Sequence, residues 1–157
     1  MVSLLICDTE ADNLLPYASK VHCISYKFVG QPVRTLTPDN LSEWKHILAQ
    51  ADEIVCHNIV GYDLVLWLKC GLIGSFTVGP DSINGRKVKI TDSLVLSRYI
   101  NPDRIGGHGL EAWGERTGVA KPKHEDWSQY SEAMRVRCEQ DVLNNERVYK
   151  MLQEEMR

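Results

Sequence analysis

Apolar positions in this chain fall into short continuous runs separated by helix-spaced segments, and that alternation predicts the elements in order. The first run, Leu4-Leu5-Ile6-Cys7, ends at Asp8-Thr9-Glu10. A continuous apolar run bounded by polar residues is the sequence form of a strand buried on both faces, here running into an acidic turn. Val21 to Val29 alternates partly and is rich in strand formers. Gly30-Gln31-Pro32 turns the chain, and Val33 to Leu36 makes a third strand. Three strands joined by short turns predict an antiparallel meander. Thr37 to Asn40 supplies helix-start chemistry, and Leu41, Trp44, Ile47 and Leu48 recur at helical spacing. Glu53-Ile54-Val55-Cys56 is again a buried strand, and a helix between two such strands implies a crossover with parallel pairing.

Beyond that strand, His57 to Asp63 leads into an apolar helix expected over Leu64 to Leu72. Residues 74–87 read as a loop or a poorly formed hairpin, and Val88-Lys89-Ile90 as the fifth strand. Asp92 is placed to cap a helix carrying Leu94, Leu96 and Tyr99. A glycine-containing loop from Pro102 to Gly109 precedes a short helix, Leu110 to Thr117. An exposed charged connection follows over Lys121 to Asp126, and a closing helix runs from about Ser131 to Met156. No repeat, low-complexity stretch or linker divides the chain, so residues 1–157 are expected to form a single domain. The class is α/β: a mixed five-stranded sheet, part antiparallel meander and part parallel, flanked by helices.

Composition narrows the function classes. With 43% hydrophobic and 25% charged residues the chain resembles an ordinary soluble domain. It has no apolar run long enough to cross a bilayer and no signal-peptide pattern, so a cytoplasmic protein with no membrane partner is expected. Cys7, Cys23, Cys56, Cys70 and Cys138 are widely spaced and mostly in apolar surroundings, which fits reduced core thiols. The net charge of -3 counts against a protein that coats nucleic acid nonspecifically, yet suits an acidic cluster neutralised by cations.

The acidic residues carry the chemistry. In an extended chain Asp8 and Glu10 project to one face. Asp63 lies just past the fourth strand, and Asp141 faces the sheet if Cys138 and Val142 pack inward. Ligands of open α/β sheets gather beyond the carboxyl ends of parallel strands. Four carboxylates converging there require counter-charge. Oxygen-only donors suit magnesium or manganese, and two ions about 4 Å apart can activate water and stabilise the leaving oxygen of a phosphodiester. Elsewhere, simpler roles compete. His57 reads as a hydrogen-bonded structural residue, and Asp92 as a helix cap with a supporting role at the metal site as the alternative. Arg86, Lys87 and Lys89 suit either a phosphate path or a solvated strand end, while Trp44, Trp67 and Trp113 read as core.

Asp8-Thr9-Glu10, His57-Asn58 through Tyr62-Asp63, and Gln140-Asp141-Val142 resemble the three exonuclease motifs of the DEDD (DnaQ-like) superfamily of 3′–5′ exonucleases. Ile90 to Arg98, Gly107 to Gly114 and Glu125 to Ser128 resemble further blocks of the exonuclease domains of podophage family A DNA polymerases. The resemblance runs nearly end to end and in order. It implies a ribonuclease H-like fold with Asp8, Glu10, Asp63 and Asp141 as metal ligands for two Mg2+ or Mn2+ ions. The activity it implies is removal of nucleotides from a DNA 3′ end, single-stranded or frayed. One departure stands out. The tyrosine usual four residues before the last aspartate, or the histidine five before it in a sister branch, is replaced by Arg137 or Val136. Arginine is a poor general base but can hold a phosphate, so Arg137 is expected in the catalytic set.

Thr9, Leu14, Tyr17, Asn58 and His108 are the residues expected against substrate. Leu14 and Tyr17 are placed to wedge or stack on a terminal base. Asn58 offers a carboxamide, with helix capping near Gly61 as its alternative, and His108 sits in a Gly-Gly-His-Gly loop. The chain ends after the closing helix, so in a phage-infected bacterial cytoplasm either a separate polymerase partner or independent scavenging of nucleotides from host DNA is expected. An RNA exonuclease and a catalytically weakened DNA-binding module are the alternatives.

Overall fold

A computed structural model of the chain describes residues 1–119 and 122–157. The predicted Lys121 at the start of the charged connection lies outside the described residues. Central in the sheet is β1 (Leu4–Ala11), flanked by β2 (Val21–Phe28) and β4 (Glu53–Cys56). The five-stranded sheet has the order β3-β2-β1-β4-β8, with β3 at Arg34–Leu36 and β8 at Lys89–Asp92. β1 and β2 pair antiparallel, as do β2 and β3, while β4 is parallel to both β1 and β8. This is the mixed ribonuclease H-like sheet that the sequence pattern and the resemblance predicted.

The strand periodicity of two sorts β1 into two faces. Leu5, Cys7 and Ala11 join the core beneath α1 (Trp44–Leu48) and α2 (Leu64–Lys69), where Trp44 and Trp67 meet edge to face at 5.2 Å. Ile6 faces the other way and packs with Val55 against Val142 of the long α5 (Glu132–Glu155). α3 (Ser93–Ile100) and α4 (Leu110–Thr117) lie against α5 on that side, around Trp113, Val148 and Leu152. Helices on both faces bury both sides of the central strands, the reason their sequences are continuously apolar.

Several boundaries differ from the sequence reading, each for a local reason. β1 continues as a strand through Asp8 and Glu10, where an acidic turn was expected. β2 pairs with it as far as Ala11 and satisfies its backbone there, whereas β4 pairs only with Leu4 to Ile6. One edge of the β1 segment carrying the carboxylates therefore opens just where its parallel neighbour stops. The helix expected from Leu64 is preceded by a π-helical turn, Ile59–Asp63, and ends at Lys69; Gly71, with φ of 73°, breaks it. Residues 74–87 form a small three-stranded sheet of β5 (Phe76–Thr77), β6 (Ser82–Ile83) and β7 (Arg86–Lys87). Arg86 is not on a phosphate path: its guanidinium donates to the Leu48 and Ala51 carbonyls at the end of α1. The fifth strand begins at Lys89, one residue later than expected, and Asp92 then caps α3 through the Leu94 and Val95 amides.

Candidate active site

β1 delivers Asp8 and Glu10 to the α5 face, in line with Ile6. Thr9 points the other way. Its hydroxyl accepts from Trp67 Nε1 (2.9 Å) and also hydrogen-bonds Asp63, the last residue of the π-helical turn after β4. Asp141 comes from α5, between Cys138, whose thiol donates to the Asp8 carbonyl (3.4 Å), and Val142, which packs on Ile6 and Val55. Carboxylates thus reach the carboxyl end of β1 from the strand itself and from both helical layers. Glu10, Asp63 and Asp141 are buried and Asp8 is partly exposed. This brings Asp8, Glu10 and Asp63 to one end of the sheet, where a topological argument places ligands, and Asp141 lies on the turn of α5 that follows Cys138.

Acidic residues here could hold a metal ion. Two groups of ligand atoms, each within 4.8 Å, share Asp8: one joins it to Asp63 and Cys56, the other to Glu10 and Cys138. Asp8 is common to both groups, each of which also holds a cysteine, and carboxylate oxygens suit magnesium or manganese. Burial pushes Asp63 up to about 7, against hydrogen bonds from Thr9 and Cys56 that lower it, with the Asp92 charge adding to the rise. A cation beside Asp63 would reverse that shift. The two nearby thiols are donors. Burial first, then contact with Cys7 for Cys56 and with Cys23 for Cys138, pushes both well above the ordinary thiol range.

Behind the carboxylates lies a hydrogen-bonded frame. The Asp92 carboxylate accepts the amides of Asn58 (2.9 Å) and Val60 (3.1 Å) besides those of α3, and so fixes the turn that carries Asp63. His57 Nδ1 donates to Ser93 Oγ (2.9 Å), which donates to Asn145 Oδ1 (2.7 Å), one turn beyond Asp141. His57 and Asp92 are thus structural members of the site. Asn58 takes a left-handed conformation, φ 64°, and makes no side-chain cap to the helix. Its Oδ1 lies 2.6 Å from where a Cβ on residue 61 would stand, so a side chain there would have to displace the Asn58 carboxamide.

Beside Glu10 is a groove of about 440 Å³ lined by Thr9, Glu10, Leu14, Tyr62, Trp127 and Arg137 among others. Arg137 Nε lies 3.8 Å from Glu10, its Nη1 donates to the Pro122 carbonyl (2.6 Å), and its guanidinium sits 5.1 Å over the Trp127 ring. Buried His22 fixes the Trp127 carbonyl from behind through Nε2 (2.8 Å). On the opposite wall Tyr62 donates to the Asn13 carbonyl (2.7 Å) and Lys69 to those of Pro16 and Ala18, tethering the loop that exposes Leu14 and Tyr17. Within that loop the Ser19 hydroxyl and the Ser19 and Lys20 amides outweigh desolvation and hold Asp12 at about 2. Of the residues expected against substrate, Thr9 and Leu14 line this groove and Tyr17 is exposed on the adjoining loop. His108 is engaged elsewhere, between Ser97 (2.8 Å) and the Pro102 carbonyl (3.2 Å) in the α3–α4 region. Tyr62 and Trp127 were missed as groove walls. Tyr62 stands beside Asp63 in sequence, a usable signal; Trp127 had none beyond its block.

A larger groove, about 790 Å³, lies at the opposite, amino-terminal end of β1. Its carboxylate, Glu53, is already held by Thr91 (2.6 Å), Tyr149 (3.3 Å) and Lys89 (3.5 Å). Size is therefore a poorer guide here than donor convergence. Among the described residues no helix is long and apolar enough to cross a membrane.

No family model matches the chain. Its sequence is 28% identical to the DNA-directed DNA polymerases of Enterobacteria phage T3 and Escherichia phage T7, over 78% of this chain and 20% of each polymerase. The chain thus spans a fifth of the length of these relatives. The fold is similar to the Aedes aegypti Nibbler EXO domain, with a TM-score of 0.72 and 12% identity, covering 99% of this chain and 79% of that one. It is also similar to Escherichia coli RNase D, an exoribonuclease (TM-score 0.69, 16% identity, 98% and 40% covered). Brucella melitensis NrnC with bound Mg2+ matches at a TM-score of 0.66 and 17% identity, with 99% and 74% covered. This sequence likeness and shared fold support the resemblance to DnaQ-like, DEDD-type exonucleases that the ordered motifs carry.

Proposed function

We propose that this chain is a divalent-metal-dependent 3′–5′ exonuclease that hydrolyses phosphodiesters at the 3′ end of single-stranded or frayed DNA and releases nucleoside 5′-monophosphates. The observation that supports this reading is the pair of donor groups sharing Asp8, one of which includes Glu10 on the wall of the Leu14–Trp127 groove. Asp8, Glu10, Asp63 and Asp141 would hold two Mg2+ or Mn2+ ions. When bound, these would supply water activation and charge neutralisation at the scissile phosphate. The chain's own residues do the rest. Leu14 and Tyr17 wedge against the terminal base, and Tyr62 and Trp127 bound the nucleotide. Arg137 faces the phosphate with a guanidinium that cannot take a proton but donates two parallel hydrogen bonds. Asn58, exposed after β4, contacts the substrate strand, while Thr9 acts through Asp63. DNA is favoured over RNA by the sequence kinship to phage polymerases; the RNase D likeness motivates RNA as the second substrate to test. On this reading residues 1–157 are one exonuclease domain, serving a separate polymerase in the cytoplasm of a phage-infected bacterium.

The test is release of mononucleotides from 5′-labelled single-stranded DNA and matched RNA. EDTA should abolish release, and Mg2+ or Mn2+ should restore it, with products shortening from the 3′ end. Activity that survives full chelation would remove the two-metal mechanism. Tight, metal-independent DNA binding without hydrolysis would identify a weakened binding module instead. Arg137→Ala should lower turnover roughly ten- to a thousandfold, the scale of one positioned donor. Arg137→Tyr should fail to exceed the natural chain; a gain would mark Arg137 as decay of the usual tyrosine.

A further inference from the structure

The groove wall formed by Trp127 belongs to a segment with little structure of its own. Residues 122–131 contain no helix or strand, so the Trp127 ring is placed by what grips that stretch from outside. The ring packs on Cys23, Met134 and Cys138, and two side chains from the layers of the fold hold the segment's backbone. Arg137 of α5 donates to the Pro122 carbonyl and lies 5.1 Å over the Trp127 ring. His22 of β2, 105 residues away in sequence, meets the Trp127 carbonyl itself at 2.8 Å. That partner defines the state of the histidine. A carbonyl oxygen accepts and never donates, so Nε2 carries the proton of the neutral ring. Nδ1 is then bare, and among the described residues it has no hydrogen-bond partner, in a side chain with no exposed surface. An apolar residue would leave no such atom unsatisfied, a condition that buried polar groups seldom tolerate. The one contact that histidine makes here and an apolar residue cannot is the Trp127 carbonyl.

We propose that His22 is a positioning residue: through the Trp127 carbonyl it holds the indole ring against the terminal nucleotide and so sets affinity for a single-stranded 3′ end. The inference rests on reading the groove as the seat of that nucleotide. Without the His22 bond the segment loses its tie to β2, and the ring no longer presents one fixed face for a base to stack on. Arg137 keeps its contacts to Glu10 and to the Pro122 carbonyl when that bond is lost. The effect therefore falls on binding and not on the chemical step.

The experiment compares the natural chain with His22→Phe and His22→Gln. Phenylalanine keeps a ring and removes the donor, whereas glutamine restores an N–H of similar reach. The readouts are fluorescence anisotropy of a labelled single-stranded DNA oligonucleotide, and KM and kcat for mononucleotide release with Mg2+. His22→Phe should weaken binding and raise KM roughly five- to fiftyfold, much of what one stacked base contributes, with kcat within about twofold. His22→Gln should return most of the affinity. In a Trp127→Ala background His22→Phe should change affinity little further, because the ring it positions is gone. Should the phenylalanine chain fail to fold, His22→Asn, whose amide is too short to reach the carbonyl, takes its place. Nitrogen-15 NMR of the natural chain should show the ring proton on Nε2. Unchanged affinity in the donor-free variant, an equal fall in kcat, glutamine as weak as phenylalanine, full additivity with Trp127→Ala, or a proton on Nδ1 alone would each overturn the proposal. A natural chain that binds the oligonucleotide without cleaving it would strike the functional reading alone, since the binding comparison still decides the role of His22.

Discussion

Two buried acids at the ends of neighbouring strands behave in opposite ways. Asp92 closes β8 and is encircled by backbone donors: the amides of Asn58, Val60, Leu94 and Val95 all point at it. Asp63 follows β4 and receives the Thr9 hydroxyl, the Cys56 thiol and a single backbone amide, its own, and burial drives it to about 7. A carboxylate whose acceptor capacity is filled by the main chain is a structural joint: here it ties the turn of Asp63 to the start of α3. A carboxylate left to ionise against its surroundings, beside Asp8, has stability to gain from a cation. The contrast separates the frame from the site within a few residues of sequence, which residue type alone could not do.

Substitutions at the two acids should fail in different assays. The largest effect belongs to the cation side. Asp8→Ala or Asp141→Ala should cut turnover about a thousandfold or more, matching several kcal/mol of transition-state charge stabilisation, with the fold intact by circular dichroism. A collapsed fold would assign these residues to the frame. Asp92→Ala should do the converse, costing about 2–4 kcal/mol in urea unfolding because four amides lose a charged acceptor. Unchanged stability there would erase the distinction.

The subtlest arm is pH. In the metal-free protein Asp63 is raised from 3.8 to about 7. The folded state therefore keeps a proton that the unfolded chain has lost, and stability falls as pH rises from about 4 to about 7. Asp63→Asn should remove that slope. It should stabilise the metal-free chain by about 1–3 kcal/mol at pH 8 and hardly at all at pH 4. Added Mg2+ should then stabilise the natural chain more than the variant. Equal melting curves at both pH values would place Asp63 with Asp92 as a satisfied acid.

Much of the site was legible because its signals are local. Asp8 and Glu10 sit at an extended-chain spacing that puts them on one face whatever surrounds the strand. The polarity change after Cys7 marks the sheet end, and Ser131 opens a helix on which Cys138 and Val142 bracket Asp141. Less legible was whatever depends on a partner distant in sequence. His108, in a glycine-rich loop, looks free to meet substrate, yet Ser97 and Pro102 occupy both its nitrogens. Arg86 looks like part of a basic path, yet it closes the end of α1.

The hydrophobic pattern by itself determined the order of elements, the mixed sheet and the end of it where acids gather, because periodicity and burial are properties of neighbouring residues. Tertiary structure alone decided that β4 stops short of Asp8, leaving that edge of β1 open. It also decided that Thr9 serves Asp63, that Arg137 leans on Glu10 and Trp127, and that Cys138 stands beneath Asp8. These are contacts between residues that the chain separates widely, and their direction is set by how helices from both layers pack on one strand.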